Sequence, residues 1–363
     1  MATQNRNGSI ELIRFLLAVV LIFFHGTVLL TSKDGALFTK GASAVEVFFI
    51  ITGFYMAKAA VEKGSGSFEY MKGRYCKVFP YHTFAFIFAF PVQCAINGFF
   101  RLEFADCLKN MAAMGMLAIP EFFLFAPLTG LAFPAAVNGI EWYLSAMLLG
   151  MAILYPFVRK WPKAMYSYVA PLIFLFLSGF MYIMIGSYRG TYGVRGMFCT
   201  GLIRGLAMMS LGIAVYGASL LLNSKVDLDR KRNRWVISVL ALIMWIIVFV
   251  HFNTHLNDKY DFGMVYIAAA AVLLTTTGKT VLAGPLSNKF VIFLGKLSLP
   301  MFLNQNWIMK ALYYSKFCIK AGMGYWEIIL LFMGLTLIFS LLCILIVDSI
   351  TKARRKRKLK TIG

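Results

Sequence analysis

Residues 11–26 read ELIRFLLAVVLIFFHG, and what such a stretch can be decides the fold. It is apolar enough to form most of one bilayer-crossing helix. Yet it carries Glu11, Arg14 and His25. A charge facing lipid at mid-helix costs about 2.5–3.5 kcal/mol on insertion scales. The helix is therefore expected to turn these groups toward other protein or toward water. It does not read as a cleavable signal, because its apolar core is too long, includes an acid and a base, and lacks an A-x-A site.

The rest of the chain repeats the pattern. Its 363 residues are 60% hydrophobic and only 14% charged, with a mean hydropathy of +0.75. A soluble domain of this length could not hide so much apolar surface. Runs long enough to span, roughly 17–25 residues each, fall at about 9–30, 43–62, 76–99, 140–158 and 166–186. Others follow at about 198–221, 235–252, 262–277, 290–312 and 327–350. The expected fold class is all-α: a polytopic integral membrane helical bundle of about ten transmembrane helices, in a multi-pass cell-membrane protein.

The stretch 108–125 is apolar but broken by Pro120 and Glu121, and charge decides whether it crosses. If it does not, the basic segments VEKGSGSFEYMKGRYCK, VRKWPK, NSKVDLDRKRNRW and TKARRKRKLK share one side with both termini. If it does, the last three move outside, against the positive-inside rule. The N- and C-termini are thus expected to be cytoplasmic, with a membrane domain at 1–350 and a basic tail at 351–363. The tail would also be drawn to anionic membrane lipids. Segment 100–139 becomes a long outer connection, either an interfacial helix that only packs or a re-entrant lid or acceptor-binding element. The same charge rule accounts for the formal net charge of +21, so no nucleic acid partner is implied. Six scattered cysteines show no C-x-x-C spacing and read as apolar packing residues, although Cys94 and Cys107 could pair outside the membrane.

Arg14 and His25 are eleven positions apart, which on a helix is about 16 Å and three turns, so both point to one side. Glu11 lies three residues before Arg14, close enough to pair with it. The next connection is short, so the second span returns antiparallel and brings Glu46 to about the depth of His25. A carboxylate beside an imidazole orients it and raises its basicity; the alternative is a buried ion pair that only fixes packing. Arg74 and Lys77 open the third span. With Arg14 they could form a cationic inner mouth suited to a phosphorylated ligand, or be an ordinary basic helix end. Arg204, inside the sixth span, needs a partner or a water cavity. Asn304, Gln305 and Asn306 read as interhelical amides. Of the four histidines, 25, 82, 251 and 255, only His25 combines depth with an apparent partner. There is no P-loop, G-x-S-x-G, H-E-x-x-H or metal-binding histidine cluster.

The ordered series resembles the acyltransferase-3 family of integral membrane acyltransferases. Arg14 and His25 are separated by ten intervening residues in that family's manner, and GASAVEVFFIITGFYMAKA is similar to its G-x-D-x-F-F-x-x-S-G-F signature. Arg74-x-x-Lys77 followed by Val78, Phe79 and Pro80 stands where R-x-x-R-I-x-P is usual. WYLSAMLLG (142–150), RGLAMMSLG (204–212) and FLGKLSLPMFLNQNW (293–307) follow in the family's order. Glu46 replaces an Asp, Lys77 an Arg and Thr52 a Ser. Met147 stands where many members carry Glu, and Gln305 where many carry His. The resemblance implies an acyl-CoA co-substrate, most often acetyl-CoA, reaching the site from the cytoplasm, with no bound cofactor. It implies an acceptor hydroxyl on an extracytoplasmic, surface or lipid-linked glycan. His25 would be general base or nucleophile, Glu46 would orient it, and Arg14, Arg74, Lys77 and Arg204 would bind CoA. A proton-coupled transporter or flippase is the alternative reading of the same polar stripe, but paired broken helices, the usual mark of inverted repeats, are not evident.

Overall fold

The computed structural model describes residues 7–30, 35–125, 137–188, 194–195 and 198–360. The opening stretch lies in α1 (Gly8–Gly26), whose first turn is capped by the Asn7 side chain accepting from the Ser9 and Ile10 N–H groups. Then come α2 (Ala44–Glu62), α3 (Ser67–Ile96), the short α4 (Phe104–Leu117) and α5 (Ile119–Phe122), and α6 (Trp142–Lys160). A single turn, α7 (Pro162–Ala164), leads through a π-turn at Met165–Val169 into α8 (Ala170–Met184). Further on lie α9 (Thr200–Lys225), α10 (Lys231–Phe252), α11 (Asp261–Thr276), α12 (Ala283–Leu286), α13 (Lys289–Ser315), α14 (Phe317–Lys320) and α15 (Tyr325–Lys360). One two-residue antiparallel pairing, Val194–Arg195 with Phe198–Cys199, is the only sheet among the described residues.

Ten helices of fifteen residues or more follow the ten apolar runs, and eight segments are long and apolar enough to cross a membrane by length and composition. The other two are α11, with 16 residues, and α13, whose 27 residues include Lys296, Lys310 and the 304–306 amides. Segment 108–125 holds the greater part of the 14-residue α4 and the four-residue α5, each shorter than the roughly 17 residues a crossing needs. Met114 is the one buried residue of α4. Residues 126–136 of the expected outer connection lie outside the described residues. The final helix runs through position 350 to Lys360. All six cysteines are unbridged.

Contacts between elements sort the helix ends into two groups. At one end Asn7 donates to the Thr275 carbonyl, Arg234 to the Lys279 carbonyl, and Lys296 pairs with Asp348 at 2.6 Å. At the other, Lys40 meets the Phe252 carbonyl and Asp261, and the Leu37 N–H donates to the Tyr325 hydroxyl. The first group includes the start of α10 and the basic end of α15, so the ends alternate as the charge pattern requires.

Hydrophobicity does not choose partners inside a bilayer; small residues that let backbones approach do. A Cβ on Gly53 of α2 would collide with the Met209 carbonyl of α9, and one on Gly212 of α9 with the Ile50 carbonyl of α2. These paired glycines seat α2 along α9. Likewise Gly295 of α13 receives the Glu11 side chain of α1, and Gly8 meets the Leu286 carbonyl. So α1 lies along α13, and α2 along α9.

Candidate functional site

His25 occupies the last turn of α1, partly exposed. Its ring meets Phe24 edge-on at 5.1 Å, and among the described residues it makes no hydrogen bond or ion pair. Three turns earlier Arg14 pairs with Glu11 at 3.2 Å, as the i,i+3 spacing anticipates; the Arg14 side chain is still 33% exposed. The unbroken helix keeps Arg14 and His25 on one side. At the start of α3, Arg74 lies over the Tyr70 ring, 5.0 Å from its centroid. Tyr70 in turn stacks on Tyr155 of α6 at 3.9 Å and 7°. Arg74 is half-buried and Lys77 is exposed. Arg14 thus stands on α1, and Arg74 and Lys77 on α3.

Glu46 corrects the sequence expectation. It does not pair with His25: its Oε1 accepts from Arg204 Nε at 2.6 Å, and both side chains are 2% exposed. Arg204 also donates to the Ala42 carbonyl at 3.2 Å and lies over the Trp142 ring at 5.1 Å. The partner that Arg204 needed is therefore Glu46. Packing is the physical reason, because the glycine contacts bind α2 to α9 and thereby pair the carboxylate with the arginine of α9. The second oxygen, Glu46 Oε2, is buried without a hydrogen bond. It borders a cavity of about 10 Å³, also lined by Ser43 and Asp261, with room for about one water.

The expectation that only His25 combines depth with a partner is also overturned. His251 Nε2 lies 2.7 Å from Asp261 Oδ1, which also pairs with Lys40 at 3.0 Å, while Ser43 donates to Asp261 Oδ2 at 3.2 Å. His82 Nδ1 lies 3.7 Å from Glu141 Oε1, both fully buried. His82 and Glu141 are 59 positions apart and Lys40 and Asp261 221, beyond the reach of spacing, whereas His251 and Asp261 are ten apart across the short α10–α11 connection. One signal was present: Glu121 and Glu141 interrupt or border apolar runs, where a carboxylate needs a partner.

The apolar helices, with a partly exposed imidazole and a partly exposed guanidinium on one face of the first, define a polytopic helical membrane protein. The chain belongs to the acyltransferase-3 family: the family model described as an acyltransferase domain matches residues 7–346. It is a membrane acyltransferase. No curated protein and no solved structure matches the chain.

Proposed function

We propose that this acyltransferase moves an acyl group, acetyl by preference, from cytoplasmic acyl-CoA to a hydroxyl of an extracytoplasmic or lipid-linked glycan. The observation that carries this reading is the state of His25. A ring nitrogen held by a carboxylate or carbonyl is committed, whereas His25 has both nitrogens uncommitted among the described residues and stays partly exposed. In the balanced step, a His25 nitrogen takes the acceptor hydroxyl's proton as its oxygen attacks the thioester carbonyl carbon. The carbon–sulfur bond breaks, and the leaving thiolate takes the proton from the imidazolium. A route in which His25 carries the acyl group itself uses the same nitrogen.

Arg14, Arg74 and Lys77 would grip the CoA phosphates toward the basic end, with the guanidiniums supplying paired hydrogen bonds. Glu46 and Arg204 act at one remove, as the sealed pair that holds α2 on α9. The test uses membranes containing the protein and acetyl-CoA labelled on the acetyl group. Label should reach glycan or lipid-linked acceptor with the native chain and not with His25→Ala. Equal labelling by the two, with both inserted, defeats the assignment of His25.

A further inference from the structure

A second ionisable group of residues lies where α3, α5, α6 and α13 meet, outside the His25 stripe. Glu121 of α5 is 3% exposed and accepts three backbone N–H groups, those of Asn138 and Gly139 on Oε1 and of Val137 on Oε2, at 2.9–3.1 Å. His82 of α3 donates its Nε2–H to the Phe122 carbonyl at 3.0 Å, since a carbonyl can only accept. Its Nδ1 is then a lone pair, directed at Glu141 Oε1 at the start of α6. From α13, Lys310 donates to Gln93 Oε1 of α3 and to the Val137 carbonyl, and Asn306 donates to the Asn138 carbonyl. Asn138 donates its amide to the Leu303 carbonyl.

What is missing from this group has one chemical character. The buried atoms without a hydrogen bond are His82 Nδ1, both Glu141 oxygens and Asn138 Oδ1, and every one is an acceptor. Charge makes the same demand. Glu121 has three amide donors and Lys310 to balance its charge, but Glu141 ionised would add an uncompensated negative charge in a dry interior. One proton between His82 and Glu141 supplies the donor and restores neutrality.

We propose that His82, Glu121, Glu141 and Lys310 form a binding site for one exchangeable proton, whose occupancy fastens α5 and residues 137–139 to the bundle. These are held through the ties just described: α5 to α3 by His82, residues 137–139 to α5 by Glu121, and the same residues to α13 by Lys310, Asn306 and Asn138. Losing the proton leaves net negative charge where no water reaches, and undocking is the relief.

The direction with pH follows from the two carboxyls. Burial, reinforced by Glu141, raises Glu121 from 4.5 to about 7, and burial raises Glu141. A proton held more tightly when docked favours the docked form. Docking is thus strongest below 4.5 and weakens as pH rises through the raised value of Glu141.

Hydrogen exchange of the full-length protein in lipid nanodiscs tests this, because the Val137, Asn138 and Gly139 amides report the docked state directly. After correction for intrinsic rates, their protection should fall as pH rises above 4.5. Glu141→Gln supplies a permanent donor with no charge, so its protection should vary less with pH than that of the native chain. Infrared difference spectra of the native chain should show a protonated carboxyl signal lost over the same range. Protection that does not vary with pH in the native chain overturns the proposal. So does an unchanged pH profile in Glu141→Gln. If that variant fails to fold, absence of the native carboxyl signal is the deciding result against it. None of these readouts depends on acyl transfer.

Discussion

His82 on α3 is fully buried, gives one nitrogen to the Phe122 carbonyl and turns the other toward Glu141, whereas His25 on α1 is partly exposed with no polar partner among the described residues. The same division separates the arginines. Arg204 is 2% exposed and bound to Glu46, the Ala42 carbonyl and the Trp142 face, while Arg14 keeps a third of its side chain accessible. An ionisable group inside a membrane is expensive in either setting. Where neighbours offset that cost completely, the group holds helices together. Where they leave it open, the group can meet a ligand, the role proposed above for His25 and Arg14.

The sharpest way to break this contrast is at His25. Replacing it with Ala should lower acyl transfer by about a thousandfold, the scale of positioned acid–base catalysis, while leaving insertion and the thermal unfolding midpoint unchanged. Rates of label transfer and a melting curve in detergent decide it together. Arg204→Ala should do the reverse, destabilising the fold by about 3–5 kcal/mol because Glu46 is left buried without its partner. Glu46→Gln combined with Arg204→Met should recover much of that loss, and a double-mutant cycle on unfolding measures how much. Arg14→Ala should raise KM for acyl-CoA about tenfold with kcat nearly constant, the mark of lost ground-state binding. At the bottom of the scale, Lys296→Ala removes a pair with Asp348 that is a third or more exposed on both sides. Its effect on stability should stay within about 1 kcal/mol. A large effect there would erase the line between open and sealed charges.

Much of the architecture could be read from the sequence. The eighth apolar run, at about 262–277, corresponds to α11 at Asp261–Thr276, and the stretch broken by Pro120 and Glu121 does form two helices too short to cross. The Glu11–Arg14 pair was also legible, because both residues lie on one helix and spacing alone brings them together. Glu46 shows where such reasoning fails. A short connection between α1 and α2 suggests that the two helices are close partners, but Gly53 and Gly212 commit α2 to α9. His82 was passed over for a related reason, since its partners come from α5 and α6, about 40 and 60 positions away.

By itself the sequence determined the helices, their number and the alternation of their ends. In a bilayer every backbone N–H and C=O must be satisfied within its own segment, so apolar length and flanking charge suffice to define a span. Only the tertiary structure decided which side chains meet. Lipid is as apolar as the helix faces, and partner choice therefore rests on close glycine contacts and on which polar group finds its complement across helices. Those contacts leave no periodic trace in the chain, and they are what separate the open His25 from the sealed His82.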